Sequence, residues 1–360
     1  MSVFCAAAQK DSVVHTIGIN ARPSYIMPTH GYYNGYNPIG KPLRAGGSAH
    51  LNYAFEYSHD SRQGVIYPGA YQGVGLGIQT FLAEGTLGNP VSLYLFQGAP
   101  FCRFSDRLSL GYEWNFGISG GWKPDEYLLT ATVHNIYINV GILMSWKIGR
   151  FWELQAGPEF THYSNGDTRF PNGGANTINF RVGVRRHFSE FAKTVAPKIF
   201  NVEDSLSEFW GNVTYDLIAF GAWRADRIII DGNLHLIDDS FLVAGLQLNP
   251  LYHLNHSLSF GPSLDLIYDR SANQSSPQFL NQAAAGISAR AELRMPVFAV
   301  NIGAGYNFSR KGSELRGFYG TFILKSFVTE SLFLNVGYRL SSVLYSHNLM
   351  FGLGWRFHKK

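Results

Sequence analysis

The run Trp152-Glu-Leu-Gln-Ala-Gly-Pro-Glu-Phe-Thr-His-Tyr-Ser164 decides how this chain folds. One parity reads Trp152, Leu154, Ala156, Pro158 and Phe160, and the other reads Glu153, Gln155, Gly157, Glu159 and Thr161. Residues two apart in a strand point to the same side, so the run is a strand with one apolar and one polar face. His162 and Ser164 continue the apolar parity, where the strand meets the polar, glycine-rich stretch Asn165-Gly-Asp-Thr-Arg-Phe-Pro-Asn-Gly-Gly-Ala-Asn176. A base beside a hydroxyl is the minimum arrangement for an activated serine nucleophile. Its position on the apolar face points to a substrate that arrives from a lipid phase.

The same period of two recurs along the chain. Leu108, Leu110, Tyr112, Trp114, Phe116 and Ile118 form one stripe. Ile136, Ile138, Val140, Ile142, Met144 and Trp146 form a second, and Ile178, Phe180, Val182 and Val184 a third. Runs of this length cross a hydrocarbon layer as tilted strands, which need about 9–11 residues. Apolar residues alternating with Arg, Glu and Asn, with aromatics toward the ends, are the pattern of a transmembrane β-barrel. A soluble sandwich also alternates, but the unbroken stripes and the aromatic density favour the membrane. About eight strands are expected up to Phe188, centred near residues 18, 52, 77, 95, 113, 141, 157 and 182. Residues 24–45 and 120–133 read as long loops, and residues 104–107 and 147–150 as tight turns. That alternation puts the loop at 165–175 on the long-loop, extracellular side.

Composition fits this class. Of 360 residues only 15% are charged and 15% are aromatic, with 39 glycines, as expected of many short strands joined by turns. No uncharged apolar run approaches the ~18 residues of a membrane helix. The net charge of +4 is mild, and no basic cluster follows nucleic-acid phosphates, so no nucleic-acid partner is expected. Two cysteines, Cys5 and Cys102, do not make a disulfide framework. Residues 1–8 read as the remnant of a signal peptide, with a small-residue cleavage site near Ala8. His253 and His256 lack a cysteine or carboxylate at ligand spacing, and Gly73 to Gly77 lie within a strand with no helix after them; no metal or cofactor is expected.

Four segments follow: 1–8, the signal remnant; 9–188, an eight-stranded barrel; 189–207, a linker; and 208–360, a second β-barrel-like half. Its stripes include Leu258/Phe260/Leu264/Leu266, Phe298/Val300/Ile302/Tyr306, Leu332/Leu334/Val336 and the aromatic-rich Leu349/Phe351/Leu353/Trp355/Phe357. The count allows two eight-stranded barrels or one of about sixteen. Two are favoured, because the first half already contains a complete unit ending at Phe188. A weak internal repeat places Ser342 where His162 stands and Leu344 where Ser164 stands, so the second half lacks the chemistry.

Over roughly residues 15–188 the chain resembles the outer-membrane lipid A deacylases of the PagL type, also called acyloxyacyl hydrolases. The resemblance is sharpest in His162-Tyr-Ser164-Asn165 followed by Pro171-Asn172-Gly173. It implies an outer-membrane enzyme, free of cofactors, that hydrolyses an ester-linked acyl chain of lipid A, with lipopolysaccharide and the membrane as its partners. It also implies His162 as general base and Ser164 as nucleophile, with Asn165, Asn172 and the backbone amides of Gly166 and Asp167 as oxyanion candidates. The family's acid falls twelve residues after the serine, where this chain has Asn176. An asparagine still orients an imidazole, as in Cys-His-Asn enzymes, but brings no charge to an imidazolium. Asp167 is the alternative third member. Asn176 is preferred because its parity matches Ile178 and Phe180 and because hairpin pairing brings it toward His162. Two other functions compete: a non-catalytic barrel, channel or scaffold, that keeps a remnant of the motif, and an outer-membrane phospholipase.

Overall fold

The computed structural model describes residues 13–59, 61–83, 85–124, 129–191, 212–230, 233–272, 278–310, 317–341 and 346–358. The expected signal remnant lies outside the described residues, as do most of the expected linker and the positions of Ser342 and Leu344.

Eight antiparallel strands follow one another in the first half: β1 (Val13–Ile26), β2 (Ala45–Tyr57), β3 (Tyr71–Thr80), β4 (Val91–Arg103), β5 (Leu108–Gly120), β6 (His134–Ile148), β7 (Trp152–Ser164) and β8 (Ala175–His187). Each pairs with the next, and β8 returns to β1, with Ile19 opposite Val184 and Tyr25 opposite Ile178. Closure leaves no unpaired edge, which is what a strand array needs in a medium that cannot hydrogen-bond it. Eight strands continue the chain: β9 (Val213–Ile230), β10 (Asn233–His253), β11 (Leu258–Asp269), β12 (Ala283–Arg294), β13 (Phe298–Arg310), β14 (Gly317–Phe327), β15 (Leu332–Ser341) and β16 (Ser346–His358). They close separately, β16 pairing with β9. The chain therefore forms two eight-stranded barrels, not one of sixteen.

Which face points where follows from the alternation. On β8, Ile178, Phe180 and Val182 are 49, 50 and 57% exposed, whereas Asn179 and Arg181 between them are 4 and 0% exposed. The apolar residues thus face outward, toward lipid, and the polar ones line the interior. An eight-stranded barrel is just wide enough for side chains to fill it, and here ion pairs do so. Arg181 bridges Glu113 at 2.5 Å and Glu159 at 2.6 Å, and Arg22 meets Glu159 at 3.1 Å. In the second barrel Asp216 and Glu292 are each held by both Lys325 and Arg356, at 2.5–2.6 Å. Glycine is required where walls approach closely: a Cβ on Gly157 of β7 would stand 2.0 Å from the Ile142 carbonyl oxygen of β6.

The connections differ between the two ends of the first barrel. Residues 27–44, 81–90, 121–133 and 165–174 join strands at one end; 104–107 and 149–151 are short turns at the other. The β2–β3 connection at that second end is longer and includes a short helix, Arg62–Ile66, capped by Ser61 Oγ accepting from the Gly64 N–H at 3.0 Å.

Candidate active site

The β7–β8 hairpin sets His162 directly opposite Asn176 and Tyr163 opposite Ala175. His162, Ser164 and Asn176 all lie on the outward parity and are half-buried, while Thr161 and Tyr163 face inward and are buried. The ring Nδ1 of His162 stands 2.7 Å from Asn176 Oδ1. An amide oxygen only accepts, so Nδ1 donates and Nε2 keeps its lone pair. Ser164 closes β7 two residues further on, on the same face of the strand. An imidazole and a hydroxyl thus share one outward face at the rim, on the long-loop end.

Asn176 is held from behind. Its Nδ2 donates to Thr29 Oγ1 at 3.2 Å, and its carbonyl accepts from the Met27 N–H at 2.9 Å. Thr29 was not among the residues singled out from the sequence. It is 147 positions away, and only the closure of β8 on β1 brings it near, so no local pattern marks it.

The inward residue between the pair anchors the strand end. Tyr163 packs edge-on against Trp122, with ring centroids 5.1 Å apart, and lies 5.4 Å from the Tyr137 ring and 6.3 Å from the Phe81 ring. Trp122 donates from Nε1 to Ser119 Oγ at 2.8 Å. Aromatic pairs of this kind each contribute about 0.5–1.5 kcal/mol beyond their area. With Tyr163 locked inside, the alternation of the strand directs His162 and Ser164 outward.

The loop after Ser164 turns on Gly166 and Asp167, both with positive φ, +67° and +59°. The Thr168 N–H reaches back to the Asn165 carbonyl at 3.4 Å, closing a turn of the kind that needs φ > 0 at both central residues. Gly166 adopts that conformation freely; Asp167 is one of the few other residues that does so locally. The Asp167 carboxylate accepts from Asn172 Nδ2 at 2.8 Å, and Asn172 Oδ1 accepts from the Asn165 N–H at 2.9 Å. Asn165 Nδ2 donates to the Arg169 carbonyl at 2.6 Å. The amide donors of Asn165 and Asn172 are therefore engaged in shaping the loop. Among the described residues, no acceptor stands against the backbone N–H of Gly166 or of Asp167. Strand-like bonds fasten the loop to residues 129–131, with the Ala131 N–H on Pro171 O at 2.9 Å and the Gly173 N–H on Leu129 O at 2.6 Å.

The remaining carboxylates of the hairpin face the lumen. Glu159 is in the Arg22–Arg181 network, and Glu153 pairs with Arg185 at 3.6 Å and with His187 at 3.3 Å. The second barrel has a histidine between hydroxyls too, His253 with Ser259 Oγ at 2.7 Å and Thr214 Oγ1 at 3.0 Å. His253 and Ser259 are 2 and 1% exposed inside the barrel, out of reach of a lipid.

Residues 131–185, which contain His162, Ser164 and Asn176, match the family model for lipid A 3-O-deacylase (PagL). Residues 213–359 match that for the acyloxyacyl hydrolase C-terminal domain. The chain resembles the PagL family in both halves. The match corrects one expectation, that the family likeness stops with the first half: the second barrel carries a family domain of its own. Each half is a closed eight-stranded barrel. No curated protein gave a match. Among solved structures, the COG4313 outer membrane channel from Pseudomonas putida F1 is similar at 12% identity, covering 99% of this chain and 100% of that one, with a TM-score of 0.20. Omp33 of Acinetobacter baumannii is similar at 8% identity, over 96 and 99% of the two chains, with a TM-score of 0.18. Likeness at that level carries no argument about activity.

Proposed function

We propose that this chain is an outer-membrane serine esterase that removes an ester-linked acyl chain from lipid A, with His162, Ser164 and Asn176 as its catalytic residues. The observation that carries the reading is the His162–Asn176 bond on the lipid-facing side, which leaves Nε2 as a base on the same face as Ser164. The family match at residues 131–185 supports the substrate.

In this mechanism Nε2 of His162 takes the proton of Ser164 as Oγ bonds to the acyl carbonyl carbon. The carbonyl oxygen becomes an oxyanion, which the backbone N–H groups of Gly166 and Asp167 stabilise. Donors so placed are each worth about 10²–10³ in rate. Collapse breaks the ester bond, and the sugar hydroxyl leaves with the proton that Nε2 returns. Water then repeats the sequence on the acyl-serine, giving a free fatty acid and restoring Ser164. Asn165, Asn172 and Asp167 hold the loop in place, and Asn176 holds the ring.

Purified protein in detergent micelles, offered lipid A and a glycerophospholipid at equal concentration, tests the reading by mass spectrometry of released fatty acid. Release from lipid A well above release from the phospholipid is expected. Release from the phospholipid alone makes the chain a phospholipase, and release from neither makes it a barrel without this chemistry.

A further inference from the structure

We propose that Thr29 is a positioning residue of the site, holding Asn176 against His162. The inference rests on the catalytic reading of the His162–Ser164 pair. A carboxylate at the position of Asn176 would attract an imidazolium whatever braced it. An asparagine has no charge and holds the ring only through geometry, so the group that fixes its side chain gains importance. Thr29 Oγ1 is that group, accepting from Asn176 Nδ2 at 3.2 Å while Oδ1 faces the ring at 2.7 Å. Both ends of the amide are thus occupied, and its plane is fixed from both sides. The brace is itself tied down. The Thr29 N–H donates to Met27 O at 2.8 Å, and the Met27 N–H donates to the Asn176 carbonyl at 2.9 Å. Residues 27–29 and Asn176 thereby form a short closed circuit of hydrogen bonds just beyond the β1–β8 seam. Thr29 is exposed, and its methyl and hydroxyl fill no core, so its removal leaves the barrel intact.

Thr29→Val keeps the shape and deletes the acceptor. One neutral hydrogen bond is worth about a factor of two to ten, and kcat for acyl release from lipid A should fall by that factor with KM unchanged. Thr29→Ser restores the hydroxyl and should restore kcat. In an Asn176→Ala background, where nothing is left to brace, Thr29→Val should change nothing, because groups acting through one another are not additive. A second readout is independent of turnover: the His162 Nδ1–H resonance of detergent-solubilised, ¹⁵N-histidine-labelled protein. It should be sharp in the wild type and in Thr29→Ser, and broad in Thr29→Val. Equal kcat in wild type and Thr29→Val, with an unchanged ring resonance, overturns the proposal. So does a loss of rate that persists in the Asn176→Ala background. If wild type releases no acyl chain while the resonance still depends on Thr29, the esterase reading fails and the positioning role stands.

Discussion

Asn176→Asp should make this protein faster. The substitution is isosteric, so a carboxylate oxygen takes the place of Oδ1 at 2.7 Å from His162 Nδ1, and Thr29 Oγ1 remains in reach of the other oxygen. Three things change. The new side chain only accepts, whereas an amide presents a donor at one end, so the Nδ1–H tautomer becomes the only one that pairs with it. The imidazolium that forms as Ser164 attacks gains an opposite charge, while the neutral ring of the resting state does not. At 2.7 Å, Coulomb's law gives about 1.5 kcal/mol at the dielectric of water and about 6 kcal/mol at an effective value near 20. The half-buried rim lies toward the first limit, and desolvation of the carboxylate offsets part of the gain. A net of about 1.5–3 kcal/mol corresponds to a kcat increase of roughly 10- to 100-fold. Initial rates of fatty-acid release from lipid A in mixed micelles measure it, with heat-dependent gel migration confirming that the barrels have closed. An unchanged or slower rate in the folded variant refutes the claim that positive charge develops on His162 beside this position.

Other substitutions test the frame around the pair. Tyr163→Ala removes the ring that packs against Trp122, Tyr137 and Phe81; a loss of about 3–5 kcal/mol should lower the temperature at which the folded band disappears on a gel and should reduce acyl release. Arg356→Ala leaves Asp216 and Glu292, both 0% exposed, with Lys325 as their one ion-pair partner among the described residues; breaking a buried network this way costs about 3–5 kcal/mol, and melting of the second barrel should show it, with no change implying that the carboxylates are solvated. A chain shortened to residues 1–195 should fold in detergent and keep its activity, because β8 already closes on β1; aggregation of the short chain would mean that the first barrel depends on the second.

Much of this was legible in the sequence because a strand's period is two and the two solvents differ so strongly. Ile178, Phe180 and Val182 against Asn179 and Arg181 state a lipid side and a lumen side without reference to any other strand. The same alternation placed His162, Ser164 and Asn176 outward. Pairing is another matter. Nothing in the stripes of β9 to β16 says whether they continue the first sheet or close on themselves, since an outward leucine looks the same in a barrel of eight or of sixteen. Closure had to be seen in β16 meeting β9. Thr29 was hidden for the same reason, being near Asn176 only through the seam. The tasks of Asn165 and Asn172 were also illegible: an amide next to a serine reads as a donor for substrate, and only the loop's own bonds to Arg169 and Asp167 show those donors engaged. The short helix at Arg62–Ile66, five residues long, was too brief to leave a periodic signal.

His162 and Ser164 together should cleave an acyl ester of lipid A. Mass spectrometry of lipid A from cells making the wild-type chain, Ser164→Ala, His162→Ala and the double variant tests it most directly. With each variant present in the outer membrane at the wild-type level, the account predicts loss of one acyl chain with the wild type alone, and full acylation with both single variants. The double variant should be no worse than either single, because the pair acts as a unit. Deacylated lipid A from cells carrying folded Ser164→Ala would contradict the account.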